Sequence, residues 1–286
     1  MALKGPFVAA GLVAALLLGF GIARSTDART ETAAPAATAI PSHSHGGAAS
    51  SDLGGFSLSA GGFTLVPAQP PTFAAGTEQQ FAFKILGPDR KPATRYVLNH
   101  EKNLHFIAVR HDLSGFQHLH PTMAPDGTWT TPLTLPTPGI WRLYADFITL
   151  DATGQQVPLT LAVDATVAGS YSPVALPTPS RTVEAGAFTV TLEGTPQVNA
   201  TQPLSFRVFA GGAPVTDLER YLAAYGHLVV VRDGDLGYLH VHPEDQLVGG
   251  AVKFWLSAPS PGRYRMYFEF QKAGQVHRAE FTVDVP

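Results

Sequence analysis

His105, His118 and His120 recur as His227, His240 and His242, with identical internal spacing and the same ending, His-x-His-Pro. The surrounding segments, LHFIAVRHDLSGFQHLHPTM and GHLVVVRDGDLGYLHVHPED, agree only loosely, so an offset of about 122 residues relates two copies of one domain. Imidazole is the commonest neutral metal ligand near physiological pH, and a duplicated metal-binding module is the chemistry this pattern points to. A later pair of segments, PGIWRLYADF and PGRYRMYFEF, aligns Arg142, Tyr144 and Asp146 with Arg265, Tyr267 and Glu269. Three imidazoles and a carboxylate suit zinc or copper(II). The acids could equally stand behind a ligating histidine, accepting its distal ring N–H. The candidate ligands are therefore His105, His118, His120 and Asp146 in the first copy and His227, His240, His242 and Glu269 in the second, one site per copy.

The elements that must position these groups are strands. Side chains i and i+2 on a strand share a face, so His118 and His120 point one way and Leu119 the other; Val241 is the equivalent of Leu119. If the apolar partner faces the core, both histidines of each pair turn outward. A hairpin at Asp112–Gly115 brings them beside the strand that begins with His105, and Tyr144 and Asp146 alternate with the core-type residues Leu143, Ala145 and Phe147. Strands are expected at 56–66, 79–86, 103–111, 115–120, 128–134, 140–148 and 157–167, with Phe81, Phe83 and Ile85 forming an apolar face matched by Leu204, Phe206 and Val208. With 28 Gly and 24 Pro, the chain favours short strands joined by turns. Asp217–Tyr225 is the one helix-like stretch. The expected architecture is mainly β: two tandem immunoglobulin-like or cupredoxin-like sandwiches, 53–170 and 181–286, with the Pro/Ser-rich segment 168–180 as their boundary.

The residues before them read as an export device. Lys4 precedes an uncharged apolar run, Phe7–Ala23, that fits either a signal peptide cleaved after Ala23 or Ala28 or an uncleaved membrane anchor. Residues 24–52 read as a disordered linker, in which His43 and His45 could bind metal weakly. Both readings place the domains outside the cytoplasm, secreted or held to the membrane by this hydrophobic helix alone. There is no cysteine, which excludes disulfides, thiolate zinc and blue copper, and only three methionines argue against a Met-rich cuprous site. A net charge of −3 without a basic run argues against nucleic acid as a partner.

His100 and His111 lack histidine counterparts and, with His277, are weaker candidates. The segments HEKNLHFIAVRHDLSGFQHLHPTM, PGIWRLYADF and GHLVVVRDGDLGYLHVHP resemble a group of exported bacterial tandem β-domain proteins, common in actinobacteria and labelled secreted or heavy-metal-associated. The resemblance covers residues 56–286 and implies an extracytoplasmic β-protein linked to copper or other metal handling. The expected function is sequestration or transfer of copper(II) or zinc, with a metal transporter or chaperone as partner. A scaffolding or adhesion module with structural histidines is the alternative. No nucleophile elbow, His-Glu-x-x-His motif or Gly-rich phosphate loop supports a reaction, so no catalytic residue is assigned.

Overall fold

The computed structural model describes residues 53–239 and 241–286. The apolar run, the linker with His43 and His45, and His240 lie outside the described residues. Among the described residues there is no helix long and apolar enough to cross a membrane; every regular element is a strand.

In the first copy, β1 (Ser59–Ala60), β2 (Phe63–Pro67), β4 (Glu78–Leu86), β9 (Thr128–Thr134) and β8 (Thr122–Met123) form one sheet in that order. The facing sheet runs β3 (Thr72–Phe73), β11 (Gln156–Val167), β10 (Gly139–Leu150), β6 (Leu104–Arg110) and β7 (Gln117–Leu119), with β5 (Tyr96–Val97) also on β10. The second copy repeats the plan. One sheet is β12 (Thr182–Ala185), β13 (Phe188–Glu193), β14 (Gln202–Ala210), β19 (Val252–Leu256) and β18 (His242–Pro243), with β15 (Ala213–Pro214) on β14. The other is β17 (Tyr238–Leu239), β16 (His227–Arg232), β20 (Gly262–Lys272) and β21 (Gln275–Val285).

Each copy is a two-sheet sandwich closed by its own core. Phe81, Phe83 and Ile85 of β4 meet Phe106 of β6 and Leu143, Ala145 and Phe147 of β10; Leu204, Phe206 and Val208 of β14 meet Phe268 and Phe270 of β20. Strand alternation set these contacts, because every second side chain of β4 and β14 is apolar.

A third apolar cluster joins the copies. Ile107, Val109, Leu113, Phe116 and Tyr144 of the first pack with Val229, Val231, Leu236, Tyr238 and Tyr267 of the second. This explains why all seven residues of β6 are buried. Leu104, Phe106 and Ala108 enter the first core, whereas Ile107 and Val109 enter the contact between copies. The contact is close to two-fold. Tyr144 O–H donates to the Leu236 carbonyl at 2.7 Å, and Tyr267 O–H donates to the Leu113 carbonyl at 2.6 Å.

The segment leading into the first copy straps this contact. Gly54 exchanges both backbone hydrogen bonds with Tyr238 of the second copy, and the Gly55 N–H donates to Thr160 of the first. Gly55 has φ 74°, and a Cβ there would lie 2.5 Å from the Tyr144 ring, so the strap requires glycine on both counts.

Asp217–Tyr225 is not a helix. The Glu219 N–H instead donates to Gln271 at the end of β20, and Leu222 and Ala223 both take positive φ in a tight turn. Leucine and alanine favour helix locally, but attachment to the neighbouring strand overrides that propensity. The same turn occurs in the first copy at His100 and Glu101, also at positive φ.

Candidate metal centre between the two copies

The strands deliver histidines to the end of the contact between copies. Leu119 packs against the first core and Val241 within the second. His118 lies on the opposite face of β7, the face that the second copy covers, and its side chain has no exposure. His105, second in β6, lies opposite Asp146 of β10, and His227 opens β16 opposite Glu269 of β20. All four of those residues are buried.

His105, His118 and His227 each offer a ring nitrogen within 4.8 Å of the other two. Their rings stack: His227 lies 4.6 Å from His118 and 5.1 Å from His105 between centroids. The sequence suggested one centre per copy. Among the described residues, the group that the fold assembles takes two histidines from the first copy and one from the second.

Hydrogen bonds fix the tautomers of two rings. His105 Nε2 lies 2.9 Å from the Asn99 carbonyl, which can only accept, so this nitrogen carries the proton. His118 Nδ1 lies 2.7 Å from Glu269 Oε2, a carboxylate acceptor, and donates to it. The remaining nitrogens, His105 Nδ1 and His118 Nε2, face each other at 2.9 Å. In neutral imidazoles both of these atoms carry lone pairs.

The carboxylates play different parts. Glu269 reaches across to His118 of the other copy. Asp146 accepts from Thr160 Oγ1 at 2.8 Å and is hydrogen-bonded by Tyr238 of the second copy. Burial, reinforced by the Asp146 charge, pushes the Tyr238 hydroxyl well above its ordinary pKa, so it remains a donor.

Of the other candidates, His120 sits one ring outside the triad, 4.7 Å from His118 and 5.1 Å from His105 between centroids. Burial, then the neighbouring His118, His105 and Lys102, hold its pKa down to about 3, so its ring is neutral. His242 is exposed, and its ring lies 6.1 Å from that of His100. His100 also lies 5.6 Å from His227 and 6.1 Å from His105. Sequence reasoning ranked His100 low because the second copy has leucine there. The signal lay in its position five residues before His105, at the tip of the turn that ends in β6. His111 pairs with Asp164 far from the triad, and His277 packs on Phe188 and Phe270.

Comparison with known proteins gives the family but no activity. No curated protein matches the chain. Among solved structures, Salmonella alpha-2-macroglobulin reacted with methylamine is 12% identical over 81% of this chain and 15% of its own, with a TM-score of 0.28. Invasin, a bacterial integrin-binding protein, is 15% identical over 79% of this chain and 40% of its own, with a TM-score of 0.25. The surface layer protein SbsC, domains 4–9, is 11% identical over 78% of this chain and 31% of its own, with a TM-score of 0.22. The chain thus spans well under two thirds of each of these structures. A domain of unknown function, DUF8832, matches at residues 61–165 and again at 181–286. The chain therefore belongs to the DUF8832 family and carries its domain twice.

Proposed function

We propose that this is an extracytoplasmic metal-binding protein that holds one divalent ion, copper(II) or zinc, in a centre shared by its two copies. The observation that carries this reading is the pair of facing nitrogens, His105 Nδ1 and His118 Nε2, 2.9 Å apart with both outer nitrogens committed to acceptors. Two lone pairs at that separation repel, and a cation bound to both removes the repulsion. His227 supplies a third donor. At metal–nitrogen distances of about 2.0–2.1 Å, a 2.9 Å separation subtends roughly 90° at the ion, whereas a tetrahedral angle needs about 3.4 Å. Tetragonal copper(II) therefore fits the pair with less movement than zinc does. Glu269 orients and polarises His118 from behind, as an acceptor on a ligating imidazole does.

Burial between two domains suits retention of an ion and its transfer to a transporter or chaperone. The apolar N-terminal run and the resemblance to exported proteins support a location outside the cytoplasm. A ligand that binds only the folded chain at about 100 times its Kd stabilises by about 2.7 kcal/mol, which for a chain of this size raises Tm by roughly 5–10 °C. Thermal unfolding of the full chain with and without copper(II) or zinc tests the reading. Unchanged Tm with both metals would reject it.

One observation favours a second reading. The 2.9 Å separation is also the length of a hydrogen bond, so a proton shared by His105 and His118 and balanced by Glu269 would clip the copies together in a non-catalytic scaffold or adhesion module.

A further inference from the structure

We propose that a divalent ion enters and leaves the buried centre along a ladder of imidazoles, from His242 at the surface through His100 to His227. The route rests on the metal-binding reading above and deepens it. Exposure falls along the ladder: His242 is exposed, His100 half-buried and His227 buried. The ring centroids are 6.1 Å apart at the first step and 5.6 Å at the second. With the ion about 3.2 Å from each centroid, two rings sharing it stand between about 4.5 Å and 6.4 Å apart as the angle opens from 90° to 180°. Both steps fall in that range. An ion crossing an apolar contact between domains cannot do so bare, because losing its water without replacement donors costs far more than thermal energy. Successive imidazoles supply the replacement, one exchange at a time.

The two copies show that His100 is an addition to the fold and not a requirement of it. His100 and Glu101 have φ 48° and 65°, and Leu222 and Ala223 form the same turn with φ 56° and 68°. The turn is built equally well with leucine at its first position, yet only the first copy places a ring there, against His227 and His242 of the other copy.

A competing entrance is the cavity of about 310 Å³ beside His120, walled by Leu98, Glu101, Lys102 and Met123. Lys102 is close enough to act electrostatically on the His120 ring, and its ammonium opposes a cation passing there.

The test is stopped-flow mixing of copper(II) with the full chain, with His43→Ser and His45→Ser removing the linker imidazoles, followed by chelator-driven release. His100→Leu copies the second domain's own residue, and His100→Asn is a second variant suited to a left-handed turn. Both should keep equilibrium affinity within about threefold while loading and release slow about tenfold or more. His242→Ala should slow both steps in the same direction, and Lys102→Gln should leave the rates unchanged. Wild-type rates in the His100 variants, faster loading in Lys102→Gln, or loss of the bound equivalent in His100→Leu would each overturn the route. No copper(II) uptake by the parent chain would overturn the metal reading itself, an outcome separable from the kinetic ones.

Discussion

At the same place in their strands the first copy carries Asp146 and the second Glu269, and the two acids do different work. Glu269 is long enough to cross the contact and orient His118. Asp146, one methylene shorter, receives Thr160 of its own sheet and Tyr238 of the other copy. The equivalent aromatics differ too: Tyr238 brings a hydroxyl where the first copy has Phe116, which stacks on Tyr267 with centroids 4.0 Å apart. Equivalent residues hold the copies together, and His105 and His227 are themselves equivalent, whereas the acids beside them are bonded differently. Among the described residues, a two-fold contact thus carries different hydrogen bonds at its two equivalent acids.

The strongest way to break that comparison is to remove an anchor of the contact. Phe116→Ala should cost about 3–5 kcal/mol, as other buried Phe truncations do, because Phe116 fills the space against Tyr267. Denaturant unfolding measures the loss. A cost under about 1 kcal/mol would mean that the copies do not depend on this packing.

The next effect tests the symmetry directly. Tyr144→Phe and Tyr267→Phe each leave one buried carbonyl, of Leu236 or Leu113, without its donor. Each should cost about 1–2 kcal/mol, and the two values should agree within experimental error. A large effect at one and none at the other would break the two-fold description.

The smallest effect sharpens the difference between copies. Arg110 pairs with Asp112 in the first copy and Arg232 with Asp235 in the second, but side-chain exposure is 5% and 7% in the first pair against 20% and 42% in the second. The segment between the copies covers the first pair, where the Val174 N–H donates to Asp112 and Leu176 packs beside the shared cluster. Burial raises the Asp112 pKa, but hydrogen bonds from Arg110, Ser114 and Val174 outweigh it and hold the carboxyl down to about 2. Its folded pKa lies below its unfolded value, so its contribution is complete above about pH 4 and is lost as pH falls toward 2. Asp112→Asn should therefore flatten acid unfolding in that window, as read by circular dichroism, and should do so more than Asp235→Asn. Equal effects would remove the distinction between the pairs.

The sandwiches were legible because β4 and β14 alternate strictly, and the face of His118 away from the core followed from Leu119. What covers that face was not read, though a signal existed. Ile107 and Val109 share a face with His105, and Val229 and Val231 share one with His227, so both faces of β6 and β16 are apolar. That is the pattern of strands buried on both sides. The partner sheet lies about 122 residues away along the chain, beyond any local period. His100 was ranked among the weaker candidates because comparison of the copies favours shared residues, and this one is unshared. Asp217–Tyr225 misled because its composition is helical and its hydrogen bonds are not.

Metal content of the full chain and of two single variants, measured after equilibration with copper(II) and removal of loosely held ion, tests the shared centre most directly. One tightly held equivalent is expected in the parent, lost in His105→Ala and equally lost in His227→Ala, because residues of both copies hold the same ion. Two equivalents in the parent, with each variant losing only one, would contradict it.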